Sequence, residues 1–136
     1  IAEVVQAFGR AAARAHAAGF DTVEIHGAHG FLIHEFLSPA ANRRADAYGG
    51  SDANRRRFAL EVAECVRANW PEDKPLFMRL SVDDDAGWGP AESVALAREL
   101  KTRGVDVVDC SAGGILARPV TTRDSMTGTV SPYTWR

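Results

Sequence analysis

Two histidines three residues apart, His26 and His29, follow directly on a short β-type run, Thr22 to Ile25. Ligands in parallel α/β proteins gather at the carboxyl ends of strands, so polar residues where an apolar strand stops are candidates for chemistry. An imidazole pair there has three available roles. It can donate hydrogen bonds to a ligand oxygen, bind a metal, or brace the loop it sits in. A zinc site needs a third and fourth ligand; His34 and Glu35 are the nearest candidates, and neither stands at a distinctive spacing. From the residues alone all three roles stay open.

A second chemical candidate is Arg79, mid-strand in the apolar run LFMRLS. An unpaired guanidinium there is costly, so it needs an anionic partner: a ligand, or an acid on a neighbouring strand such as Glu24. The third candidate is the piece containing Asp46, Tyr48, Gly49, Gly50 and Arg55. Gly49-Gly50 permits positive φ ahead of a helix cap. The piece suits a phosphate cradle, but fixing a long loop is the simpler role, with Arg55 pairing inside that loop. Ser111-Ala112-Gly113-Gly114 is a second glycine-rich strand exit, where backbone can approach a ligand.

The elements that position these residues follow from hydrophobic period. Residues 1 to 18 read as a helix with Val4 or Val5, Phe8, Ala12 and Ala15 inward, stopped by Gly19. Residues 21 to 25 are a strand, and 26 to 51 a long irregular connection. A helix capped at Ser51 or Asp52, with Phe58, Val62 and Cys65 or Val66 inward, ends before Pro71. Residues 76 to 82 form the next strand. Pro90 opens a helix to about Lys101, with Val94, Ala97 and Leu100 inward, stopped by Gly104. Residues 105 to 110 are the third strand, and 111 to 136 read as a long loop.

The order α-β-α-β-α-β predicts a parallel sheet with crossover helices. An internal echo supports repetition: Gly19-Phe20-Asp21-Thr22-Val23-Glu24 matches Gly104-Val105-Asp106-Val107-Val108-Asp109, an offset of 104 − 19 = 85 residues. Repeated βα pairs suit a (β/α)8 barrel. Three strands cannot close one, so the chain is expected to be an inner piece, about strands 4 to 6, with residues 1–136 forming a partial barrel domain. A complete three-stranded α/β domain is the structural alternative; the long loop after the first strand weighs against it.

Composition narrows the class. A net charge of −2, from 16 basic and 18 acidic residues, gives no electrostatic case for nucleic acid or a membrane surface. The run Arg55-Arg56-Arg57 reads as a solvated helix face. No apolar run approaches the roughly 20 residues a membrane span needs, and the amino-terminal stretch lacks a signal-peptide pattern. Cys65 and Cys110 are expected as buried free thiols in a reducing cytoplasm. His16 reads as a surface residue; Trp70, Trp88 and Trp135 carry no usable spacing.

The run EIHGAHGFLIHEFLSPAANRRADAYGGSDANRRRF, extended by LFMRLS and VDVVDCSAG, resembles the signature of the Old Yellow Enzyme family of FMN-dependent NAD(P)H oxidoreductases. It is most similar to the branch of bacterial ene-reductases and dienoyl-CoA reductase-like proteins. The resemblance covers the chain to about Gly114 and implies an α/β (β/α)8 TIM barrel.

The same resemblance implies FMN as cofactor and NADPH or NADH as reductant. The acceptor would be an electron-poor small molecule, such as an α,β-unsaturated carbonyl or an enoyl or dienoyl thioester. It makes His26 and His29 catalytic, and places His26, Gly27, Ala28, His29 and Phe31 at the substrate. It sets Arg79 against the flavin N1/C2=O edge, where a fixed positive charge stabilises the reduced ring. Phe31 departs from the family pattern: many members carry a proton-donating tyrosine there, and phenylalanine has no proton to give.

A cytoplasmic protein is implied, with no nucleic-acid or membrane partner and with a homo-oligomer of the complete protein left open. The rival readings are a metal- or phosphate-binding barrel enzyme using the histidine pair, and a catalytically inert fragment. A three-stranded piece, with two open sheet edges and without the phosphate-binding loops, is expected to hold FMN poorly and to be poorly soluble.

Overall fold

The computed structural model describes residues 1–116, 122–124 and 128–130. Three parallel strands, β1 (Val23–Gly27), β2 (Leu76–Ser81) and β3 (Val107–Ser111), lie in the order β1-β2-β3. Helix α1 (Ala2–Ala17) precedes β1, α2 (Leu32–Leu37) and α3 (Asp52–Ala68) join β1 to β2, and α4 (Pro90–Lys101) joins β2 to β3.

Local chemistry sets the boundaries. The Ser51 hydroxyl accepts the Asn54 N–H at 3.2 Å to cap α3. The Glu92 carboxylate accepts the Gly89 N–H at 3.1 Å at the start of α4. Two glycines at positive φ, Gly19 and Gly104, turn the chain from a helix toward β1 and β3.

Alternation divides the sheet into two faces. Ile25, Leu76, Met78 and Leu80 are buried with Val5, Ala12, Phe58, Val62, Val66, Leu96 and Leu100 in one apolar cluster. The other face carries Glu24, His26, Phe77, Arg79, Val107 and Asp109, all exposed or half-buried.

Register and repeat together measure the strand stagger. The echo equates Glu24 with Asp109, whereas the sheet sets His26 beside Arg79 and Arg79 beside Asp109. The slip is 26 − 24 = 2 residues over two strand steps. One residue per strand is the stagger of an eight-stranded barrel with a shear of about 8.

Several expectations are corrected. The connection 26 to 51 contains a helix, α2, of 6 residues, too short to show a period. The inner stripe of α4 is Ser93, Leu96 and Leu100, with Val94 51% exposed, because the Ser93 hydroxyl donates to the Val82 carbonyl at 3.0 Å and occupies an inward position. On α1, Val5 and not Val4 is buried.

The stretch from Ser111 is not loop throughout: β4 (Thr122–Asp124) and β5 (Gly128–Val130) pair antiparallel. Trp135 lies outside the described residues. Cys65 and Cys110 are free, but Cys65 is half-buried and Cys110 exposed, the latter on β3, the edge strand of the described three-stranded sheet.

Arg55 and Arg56 are half-buried rather than solvated: Arg55 binds the Gly50 carbonyl and Asp52, and Arg56 meets Glu99 of α4 at 2.8 Å. Tyr48 donates to Glu61 at 3.0 Å and ties the long connection to α3. No helix of the described residues is long and apolar enough to cross a membrane.

A buried polar pair locks α2 to the β2–α4 loop. His34 Nδ1 accepts the Gly30 N–H at 3.0 Å, which puts the ring hydrogen on Nε2, 3.6 Å from the Asp84 carboxylate; both side chains are fully buried. Asp84 Oδ1 also accepts the N–H groups of Ala86 at 2.7 Å and Trp88 at 3.0 Å. Burial pushes the Asp84 carboxyl up, but the His34 ring, the Ser38 hydroxyl and these two amides outweigh it and hold it at about 2.

Asp84→Ala removes the acceptor from buried donors and is expected to cost about 3–5 kcal/mol in denaturant unfolding. Because the folded value lies below 3.8, the carboxylate's contribution is complete above that pH. The gap between wild type and variant should therefore narrow as pH falls from about 4 toward 2.

Candidate functional site

The carboxyl ends of the three strands bring the sequence candidates together. His26 leaves β1 on the open face of the sheet, level with Arg79 and, one strand further, Asp109. Arg79 Nε lies 3.3 Å from the Asp109 carboxylate. The acid partner is thus on β3; Glu24 pairs in register with Phe77 instead. The contact is an ion pair only, for Arg79 Nε is buried and makes no hydrogen bond.

Beyond β1 the chain turns sharply. His29 has φ 61° and Gly30 φ 76°. Side-chain-bearing residues avoid this region at a cost of about 1–3 kcal/mol, and such strain gathers at functional sites. Glycine is required at 30 for a second reason: a Cβ there would stand 2.2 Å from the Gly114 carbonyl oxygen. The two glycine-bearing strand exits are in direct backbone contact.

This turn folds three rings together. His26 and His29 have centroids 5.3 Å apart, and Phe31, 62% exposed, lies 5.1 Å from His26. Gly27 and Ala28 are buried, so anything they offer a ligand comes from their backbone. His34, one of the suggested metal ligands, is instead committed to Gly30 and Asp84, while Glu35 is exposed on α2. Among the described residues no group of three or more His, Cys, Asp or Glu side chains is placed to hold a metal.

Ser81 carries no signal in the sequence, and Ser111 stands out there only as part of a glycine-rich strand exit, with no role for its side chain. Ser81 and Ser111 face each other in register at the ends of β2 and β3, and both are buried. Ser81 Oγ accepts the His29 backbone N–H at 3.0 Å and donates to the Gly113 carbonyl at 2.8 Å. Ser111 Oγ lies 2.6 Å from His29 Nε2. Aligning the polar residue that ends each strand would have found them.

Electrostatics set the state of His29. Burial first, then the charge on Arg79, then the rings of His26 and His34 depress its pKa below the ordinary 6.5, with Asp109 pulling weakly the other way. At neutral pH His29 is a neutral imidazole.

A profile of the NADH:flavin oxidoreductase / NADH oxidase family matches residues 1–133. The chain belongs to this family. An NADPH dehydrogenase of Bacillus subtilis (strain 168) is 51% identical over 118 residues, which is 85% of this chain and 34% of that relative. The chain therefore spans about a third of the length of the curated relatives it matches.

Two solved structures share the fold. The old yellow enzyme homologue of Zymomonas mobilis superimposes with a TM-score of 0.73 at 31% identity, over 84% of this chain and 33% of its own. Morphinone reductase in complex with tetrahydroNAD gives 0.71 at 36% identity, over 80% and 31%. The three-stranded unit is a part of the (β/α)8 barrel of this family.

The arrangement predicts how His29 titrates. Followed by NMR of its ring, His29 should show a midpoint below 6.5. Arg79→Met should raise that midpoint, since a cation opposing the imidazolium is gone; an unmoved or lowered midpoint would contradict the geometry. The unfolded chain takes up this proton first, so the His29 contribution to stability is intact above about pH 6.5 and declines below it.

Proposed function

We propose that the complete protein is an FMN-dependent NAD(P)H oxidoreductase that passes a hydride to an electron-poor small-molecule acceptor. The observation that carries this reading is the placement of Arg79. Its guanidinium stands on the open sheet face, level with His26, and its buried Nε lacks a hydrogen-bond partner although Asp109 lies 3.3 Å away. Such a donor fits the electron-rich N1/C2=O edge of a flavin ring. Bound flavin would supply a two-electron hydride carrier.

The chain's own residues do the rest. Arg79 holds the ring edge and lends it positive charge. His26 and His29 donate hydrogen bonds to the acceptor's oxygen and draw electron density from the carbon that receives hydride. His29 does this as a neutral ring, because burial and Arg79 keep it unprotonated at working pH. Phe31 lies over His26 as an apolar wall; it supplies no proton, so water or another residue protonates the reduced acceptor.

The similarity to NADPH dehydrogenases favours NADPH as reductant. The tetrahydroNAD in the morphinone reductase complex supports a nicotinamide nucleotide as the reductant. An α,β-unsaturated carbonyl, or an enoyl or dienoyl thioester, is the acceptor class this donor pair suits.

His26→Ala/His29→Ala in the flavin-loaded complete protein should bind a phenol or an enone far more weakly. Each lost hydrogen bond to a partly charged oxygen costs about 1.5–3 kcal/mol, roughly tenfold or more in Kd. The titration follows the shift of the flavin absorption band on adding ligand. Wild-type affinity in the double variant would reject the assignment of the two rings.

A further inference from the structure

A neutral imidazole carries one N–H, and only one of its nitrogens can donate. If His29 acts by donating to an acceptor oxygen, something must decide which nitrogen holds the hydrogen. Two nearby hydroxyls, Ser81 and Ser111, are candidates, and their hydrogen-bond accounts differ. The Ser81 hydroxyl is spent: it accepts from the His29 backbone N–H and donates to Gly113.

Ser111 Oγ is buried, and among the described residues its one hydrogen bond is the 2.6 Å contact with His29 Nε2. If Nε2 carried the hydrogen, Ser111 would accept and its own O–H would be a buried donor without an acceptor, at a cost of about 1–3 kcal/mol. If Nε2 carries the lone pair, the O–H is satisfied and no donor is stranded. The charges around the ring agree with a neutral form. Arg79, His26 and His34 oppose protonation, and Asp109, which favours it, is engaged with Arg79.

We propose that Ser111 is a positioning residue that donates to His29 Nε2 and so fixes the ring in the tautomer whose donor is Nδ1–H. The inference rests on the proposed role of His29 at the acceptor and adds to it which nitrogen donates and what sets it. Ser81 holds the backbone of the strained turn while Ser111 holds the ring. Two in-register strand ends thus fix one residue at both its main chain and its side chain.

The test is 15N NMR of the complete, flavin-loaded protein with 15N-labelled histidine near pH 8, the His29 signals being identified by their loss in His29→Asn. The expected result is a protonated Nδ1 and an unprotonated Nε2. Ser111→Ala should shift His29 toward the Nε2–H form that free imidazole side chains prefer. It should also weaken phenol binding about tenfold, with Ser111→Thr restoring both. An Nε2–H tautomer in the unmodified protein overturns the proposal without need of any variant, and so does an unchanged tautomer in Ser111→Ala. The reading of the site fails separately: it falls if His26→Ala/His29→Ala binds phenol normally, whatever the tautomer of His29.

Discussion

Everything at this site depends on the register of three parallel strands. One alignment puts His26, Arg79 and Asp109 side by side on the open face and sets Ser81 opposite Ser111 at the strand ends. In a strand the side-chain period is two, so a slip of one residue would send each of these groups to the helix-covered face. The apolar alternation of Leu76, Met78 and Leu80 against α3 and α4 forbids that slip. Packing on one face of the sheet thereby fixes the polar constellation on the other.

The turn after β1 shows where that constraint is put to use. A positive-φ histidine persists only when its surroundings over-determine it. Here the Ser81 hydroxyl takes its amide, Ser111 takes its ring, and Gly30 packs against Gly114 with no room for a side chain. His34 then accepts the next amide and passes the tie to Asp84 in the β2–α4 loop. The exits of all three strands converge on one short segment, so the ring of His29 is oriented by the rest of the unit.

Much of this was legible in the sequence. Helices α1, α3 and α4 and strand β2 lie where the apolar pattern puts them, while β1 and β3 begin two residues later than it suggests, so that His26 lies within β1 rather than beyond it. The histidine pair and Phe31 do meet, and Arg79 lies in register beside His26. What escaped had physical reasons. Helix α2 is held by its burial against α3 and by the His34 contact, and a six-residue segment has no period to read. Asp109 was not seen as the partner of Arg79 because the nearest acid in the repeat, Glu24, is displaced by the two-residue slip that sheet pairing alone reveals. Ser111 and Ser93 are small polar residues at buried positions, and a hydrophobic pattern reads them as gaps.

The long connection that carries the chemistry has a cost in chain entropy. Joining Val23 to Leu76 closes 76 − 23 = 53 residues, whereas Phe77 to Val107 spans 107 − 77 = 30. The extra length raises the closure penalty by only about 0.5 kcal/mol, since that penalty grows with the logarithm of loop size. A single hydrogen bond in the loop, such as Tyr48 to Glu61, is of comparable size. Lengthening this crossover is therefore nearly neutral for folding, and the barrel can host a site-bearing segment there without enlarging its core.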